Sequence, residues 1–234
     1  MLTEWLANHF QVPFVPEFAR GYVENLDRVL QEAAKRNIIV AAIVLIKKDN
    51  RGGGPGNPTG YLAHPECEDS AVYAMANVSR PEGVEYYQAV LDFLASRYNR
   101  ADQQYGRIHH WIIHNEVDMG FQWTNAGQVG PLTYMDLYQK SMRIAYLTAR
   151  KYNPNAQVFI SLTHYWNWTP HLERGYLPRQ LLEILLDQSR AEGDFQWAIA
   201  CHPYPQSLLE SKTWLDSRVN FTFDTPLILS LIHI

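Results

Sequence analysis

Ile108-His109-His110-Trp111-Ile112-Ile113-His114-Asn115-Glu116-Val117-Asp118 is the stretch whose reading decides the fold. Ile108 to Ile113 is too short for an ordinary helix and contains neither Gly nor Pro, so it reads as a buried strand of a parallel sheet. The polar run His114-Asn115-Glu116 then marks the C-terminal mouth of that strand, the end at which barrel enzymes keep their chemistry. A carboxylic acid placed there can give a proton to a leaving group, and the amide of Asn115 beside it can hold a substrate hydroxyl.

Working outward, helices and strands alternate. Tyr22 to Arg36 carries Val23, Leu26, Val29, Leu30 and Ala33 on one helical stripe and feeds a β-branched run, Ile38 to Ile46, that reads as a strand. Lys47 to Pro65 holds the run Gly-Gly-Gly-Pro-Gly and reads, with the residues up to Arg80, as a long loop. A phosphate cradle is a poor reading of those glycines, because no Lys-Ser/Thr follows and no helix begins directly after them. Pro81 to Tyr98 is a helix with Ser79 as its N-cap. After the central strand come a helix over Thr133 to Tyr152, a strand over Val158 to Leu162, a helix over Pro178 to Glu192 and a strand over Phe195 to Cys201. This order implies parallel β-α units joined by right-handed crossovers, without by itself separating a barrel from an open sheet.

Composition bounds the function. With 234 residues, 47% of them hydrophobic and 19% charged, the chain can bury one sizeable core as a single domain. A formal net charge of −4 gives no electrostatic reason to expect a nucleic acid or an anionic membrane as partner. The 14 Tyr, 9 Phe and 7 Trp pack a core or offer ring faces to neutral substrates. Cys67 and Cys201 match no metal spacing and are expected as free thiols. The start, Met1 to Trp5, lacks a basic segment followed by an apolar run, so no signal peptide is visible and localisation is unknown. No apolar run approaches the length of a membrane span.

The strand end with Asn115-Glu116 resembles the acid/base motif of the clan A glycoside hydrolases, retaining (β/α)8 enzymes whose proton donor follows an Asn at the end of the fourth barrel strand. Tyr105 to Gly127, with Trp123-Thr124-Asn125-Ala126-Gly127, and His202-Pro203-Tyr204-Pro205 look like a bacterial branch of that clan, the resemblance running from Asn37 to Pro205. It implies an α/β fold, a partial (β/α)8 TIM barrel of about strands three to six, acting on O-glycosidic bonds of a carbohydrate with no cofactor and no metal. It implies Glu116 as general acid/base and Asn115 as the partner of the sugar hydroxyl next to the reacting carbon. His202 and Tyr204 would orient the sugar or the nucleophile. Trp123, Trp166 and Trp168, in loops leaving strands on the Glu116 side, are expected as stacking platforms, and Asp118, Asn125 and His164 as further residues of the cleft.

The resemblance also implies a nucleophilic glutamate after a seventh strand. After Tyr204 the acidic residues are Glu210, Asp216 and Asp224, and none ends a convincing strand. The expectation is a chain shorter than a complete barrel at its C-terminus and at its N-terminus, inactive alone. Residues 1–21 read as a lead-in of unassigned structure, and 229–234 as an extraneous tail similar to translated adapter sequence. Two alternatives stay open. His64, His114, His164 and His202 near strand exits could with Glu116 form the metal centre of a barrel hydrolase. The aromatic loops could equally serve a carbohydrate-binding barrel without catalysis.

Overall fold

The computed structural model describes residues 19–52 and 58–202. Helix α1 (Ala19–Lys35) leads into strand β1 (Ala41–Val44). A short strand β2 (Ile46–Lys47) pairs antiparallel with β3 (Tyr73–Ala74). Helix α2 (Pro81–Arg97), strand β4 (His110–Ile113), the short helix α3 (Gly120–Trp123), helix α4 (Pro131–Tyr152), strand β5 (Val158–Leu162), helix α5 (Pro178–Ala191) and strand β6 (Trp197–Cys201) follow. β1, β4, β5 and β6 form one parallel sheet in that order. The described residues thus form a mixed α/β fold around a four-stranded parallel sheet, an arrangement compatible with part of an α/β barrel.

Register explains which residues are buried. Trp111 pairs with Val158 and Ile113 with Ile160, so these four share one face of the pleat. All four are at most 2% exposed. α4 covers this face with Tyr134, Met135, Tyr138, Met142, Ala145 and Ala149, buried residues at helical spacing, and Tyr138 donates its hydroxyl to the Ile113 carbonyl at 2.9 Å. The opposite face carries Ile112 and Phe159, both half-buried, and beyond them Ser161. α1 is tied to α2 by a buried ion pair: Arg97 donates to Asp27 at 2.6 and 2.9 Å, and the Tyr98 hydroxyl adds a third bond at 2.9 Å. Removing one member of such a pair costs roughly 3–5 kcal/mol, because the other charge is left buried.

The structure departs from the sequence pattern at three places. The strand read over Ile38 to Ile46 begins only at Ala41, and Ile38 and Ile39 are 50% and 70% exposed. They belong to the helix end instead: Asn37 takes φ +54°, and the amides of Asn37 and Ile38 donate to the carbonyls of Ala34 and Ala33, closing α1 with a left-handed cap. The segment read as a loop from Lys47 to Arg80 contains β3 and an antiparallel bridge between Ala63 and Ala76. Its apolar run Ala71 to Ala76 packs as a layer on the strand exits, with Met75 fully buried. Ser79 does not cap α2, whose N-cap is Arg80. The Ser79 hydroxyl donates to Asn77 Oδ1 at 2.9 Å, and Pro81 at the first helical position removes one of the amides a cap would satisfy.

Cys67 and Cys201 are free thiols, and burial pushes Cys67 up to about 11. Among the described residues no helix is long and apolar enough to cross a membrane.

Candidate active site

The exits of β4, β5 and β6 lie side by side, and the site grows from their last residues. Register on β5 and β6 pairs Ser161 with Ala200, so Ser161 and His202 lie on one sheet face two residues apart along the ladder. The His202 amide continues that ladder by donating to the Leu162 carbonyl at 2.9 Å. From the β4 exit Glu116 reaches across, and its Oε1 stands 2.8 Å from His202 Nδ1. Both side chains are partly open to solvent, at 18% for Glu116 and 29% for His202. The hydrogen bond to the Glu116 carboxylate raises His202 above the ordinary histidine value, against the lowering effect of burial.

Glu116 arrives there by an unusual backbone. His114 has φ +61°, and Glu116 has φ +38° and ψ +63°, both left-handed and uncommon for residues with a side chain. Simple alternation, which puts His114 and Glu116 on one face, therefore fails. His114 turns inward, 1% exposed, and its Nε2 accepts the Ala76 amide at 3.3 Å. Burial holds it neutral, down to about 3. The Glu116 amide donates to Ser161 Oγ at 3.2 Å, and the Glu116 carbonyl accepts from Met119 at 2.8 Å as the chain enters a short 3-10 turn. Two positive-φ residues in three, held by specific bonds, are the kind of local strain that clusters at working sites.

Asn115 is half-buried, and its carbonyl accepts the Thr124 hydroxyl at 2.7 Å. Asp118 does not line a cleft: it is 1% exposed, its Oδ1 accepts the Thr163 amide at 2.9 Å and its Oδ2 accepts the Thr163 hydroxyl. It latches the β4 exit to the β5 exit, and burial pushes it up to about 6. Asn125 is likewise interior, at 1% exposure. Its Oδ1 accepts the amides of Glu68 and Gly127, and its Nδ2 donates to the Phe121 carbonyl and to Glu68 Oε2. Gly127 follows with φ +81°, where an added Cβ would meet the Glu66 carbonyl oxygen at 2.8 Å, so the sequence Asn-Ala-Gly is a folding device of this loop.

The other expected residues divide. His164, 8% exposed, is lowered by burial while the Glu116 charge works against that lowering, which places it in the same electrostatic neighbourhood. Trp168 is half-buried and meets Tyr165 edge-on at 4.8 Å. Trp166 packs against the core and its carbonyl accepts the Arg179 amide at 3.1 Å, fastening the β5 loop to the start of α5. Trp123 lies against Tyr73 at 6.1 Å, in the layer built by β3. Tyr204 lies outside the described residues. Ser161 and Thr163 were not expected as site residues. The only signal for Ser161 is a lone hydroxyl inside the apolar run Val-Phe-Ile-Ser-Leu.

Among the described residues no three His, Cys, Asp or Glu side chains converge as metal ligands. A cavity of about 750 Å³ opens at the N-terminal ends of β5 and β6, between Tyr146, Arg150 and Trp197, and one of about 410 Å³ among the loop residues Glu68, Phe121, Arg174 and Tyr176. Neither is lined by Glu116 or His202.

A family model described as a family of unknown function, DUF5722, matches residues 16–231. No curated protein matches the chain. Among solved structures the fold is similar to Cel44A, a GH family 44 endoglucanase from Clostridium thermocellum, with a TM-score of 0.44 and 14% identity. That similarity covers 76% of this chain and spans 38% of the endoglucanase chain.

Proposed function

The chain belongs to DUF5722, a family of unknown function, and we propose that its Glu116–His202 pair is the proton-donating half of a retaining glycoside hydrolase acting on an oligo- or polysaccharide. The observation that carries this reading is the 2.8 Å contact between Glu116 Oε1 and His202 Nδ1 at the C-terminal ends of parallel strands. In the proposal those strands are the third to the sixth of a (β/α)8 barrel, and the exits face the substrate.

Glu116 protonates the glycosidic oxygen as the bond to the anomeric carbon breaks, and later takes a proton from water. His202, charged or neutral on the other side of the short contact, steadies the carboxylate in both states. Asn115 holds the hydroxyl next to the reacting carbon, and Trp168 offers a ring face for a neighbouring sugar. A retaining reaction also needs an attacking carboxylate about 5 to 5.5 Å from the acid. Asp118 does not fit that role, since both its oxygens are engaged by Thr163. The acidic residues Glu210, Asp216 and Asp224 lie outside the described residues.

An external nucleophile tests the reading on the chain itself. Azide attacks the anomeric carbon of an aryl glycoside, the bond to the phenol oxygen breaks, and that oxygen takes its proton from Glu116, leaving a glycosyl azide and a phenol. With an aryl glycoside of a weakly acidic phenol, the expected result is azide-dependent phenol release that is largely lost in Glu116→Gln. Turnover without azide would show that the chain itself carries the attacking carboxylate. Release unaffected by Glu116→Gln, or sugar binding with no release under either condition, contradicts the glycosidase reading, the latter in favour of a binding role.

A further inference from the structure

We infer that Ser161 is the positioning residue of the Glu116–His202 pair, a single buried hydroxyl that fixes the backbone of the carboxylate and the far nitrogen of the imidazole at once. Its Oγ accepts the Glu116 amide at 3.2 Å and stands 3.5 Å from His202 Nε2. The order Ser161 Oγ, His202 Nε2, His202 Nδ1, Glu116 Oε1 has the connectivity of an acyl-transfer triad. Its accessibility does not: Ser161 is 0% exposed, inside β5 and beneath the pair, so no acyl carbon can reach the oxygen. What the geometry leaves is support.

The hydroxyl suits that task for two physical reasons. Glu116 sits at φ +38°, a conformation that persists only where the surroundings hold it, and the bond from its amide to Ser161 is the contact that ties this residue to the neighbouring strand. A serine oxygen also has two lone pairs and a rotatable proton. It accepts from Nε2–H when the ring is charged and donates to Nε2 when the ring is neutral, so the imidazole keeps its orientation through a cycle in which a proton passes in and out of the pair. The charged arrangement is the stronger of the two, so the hydroxyl favours the imidazolium. Among the described residues, the ionisable groups that act on the ring are Glu116 and Asp118 from the β4 exit, with His164 at the β5 exit near Glu116.

For catalysis the inference rests on the reading of Glu116 as proton donor, but its test needs no substrate. Ser161→Ala removes only the oxygen from a packed strand position. NMR titration of His202 is expected to move to lower pH by about one pH unit, and the Glu116 amide to exchange with solvent about tenfold faster, the loss of roughly one charge-assisted and one neutral bond. Backbone signals on the α4 side of the sheet are expected to stay in place. A His202 titration and a Glu116 exchange rate identical to those of the unmutated protein overturn the inference, whatever the activity. If Ser161→Ala does not fold, the unmutated protein decides: a slowly exchanging Nε2 proton on the charged His202 ring supports the inference, and one that exchanges as an exposed imidazole overturns it. Both shifts observed with no glycoside turned over would leave the inference standing and remove the glycosidase reading. Turnover retained with neither shift would do the reverse.

Discussion

His202 Nδ1 and Glu116 Oε1 lie 2.8 Å apart although 86 residues separate them in the chain. Two parallel strand exits, β4 and β6, with β5 between them, bring the pair together, and the contact raises His202 above its ordinary value. A histidine whose folded value is raised adds stability that is complete below the free value near 6.5 and disappears as pH climbs through the higher folded value. His202→Gln is therefore expected to lower the melting temperature relative to the unmutated protein at pH 6, with a gap that narrows on going to alkaline pH. Thermal unfolding followed across that range checks it, and a gap that widens with pH contradicts the ion pair.

Asp118 works in the opposite sense. Burial pushes it up to about 6 in the folded chain, above the free value of 3.8. Between those two values the folded state holds a proton that the unfolded state has lost, so this group's contribution to stability falls as pH rises from about 4 to 6 and is flat above. Asp118→Asn should remove that slope while keeping an oxygen for the Thr163 amide. Asp118→Ala should destabilise at all pH values by about 1–3 kcal/mol, because the Thr163 amide and hydroxyl lose their acceptor. Denaturant titrations of both variants at several pH values check the two outcomes.

The Asn125 side chain makes four hydrogen bonds, two that hold Glu68 and two that close its own loop through Phe121 and Gly127. Asn125→Ala is expected to cost roughly 2–4 kcal/mol, since two backbone amides lose their acceptor in a buried place. Denaturant unfolding measures this, and a loss of oligosaccharide affinity without a loss of stability would instead return Asn125 to the cleft.

Trp168, half-buried at the β5 exit, is proposed as a sugar platform. Its ring is supported edge-on by Tyr165 at 4.8 Å. Trp168→Ala is expected to weaken oligosaccharide binding about 2- to 10-fold, in line with roughly 0.5–1.5 kcal/mol for one aromatic stack. Trp166→Ala should act on folding instead, because its ring packs against the core, while the backbone bond to α5 is kept by alanine. Calorimetry beside thermal unfolding separates the two tryptophans.

The sheet was legible because its strands are written in a plain pattern. Val158 to Leu162 is a strand with the very bounds its apolar run suggests, and α4 and α5 follow their 3.6-residue stripes to within a few residues. Ile38 and Ile39 misled because two β-branched residues in a helix-closing turn look like the start of a strand. The layer with β3 is hard to read because the five glycines and three prolines between Gly52 and Pro65 mask a short apolar run. At the candidate site, the position of Glu116 just beyond a strand was legible from the sequence. Its partner Ser161 was not, because a serine in an apolar strand carries no sign of what lies opposite it until register is known. Asp118 and Asn125 look like cleft residues in a loop, and only coordinates reveal that the backbone amides around them had claimed their oxygens first.

The most direct test of the proton-donor claim is the rate of glycoside cleavage, with azide supplied, across a series of aryl glycosides whose phenols differ in acidity. A general acid matters most when the leaving oxygen is most basic. The account predicts that Glu116→Gln costs about 10²- to 10⁴-fold for the poorest leaving group and far less for a strongly acidic phenol. An equal loss along the whole series, or no loss at all, would contradict it.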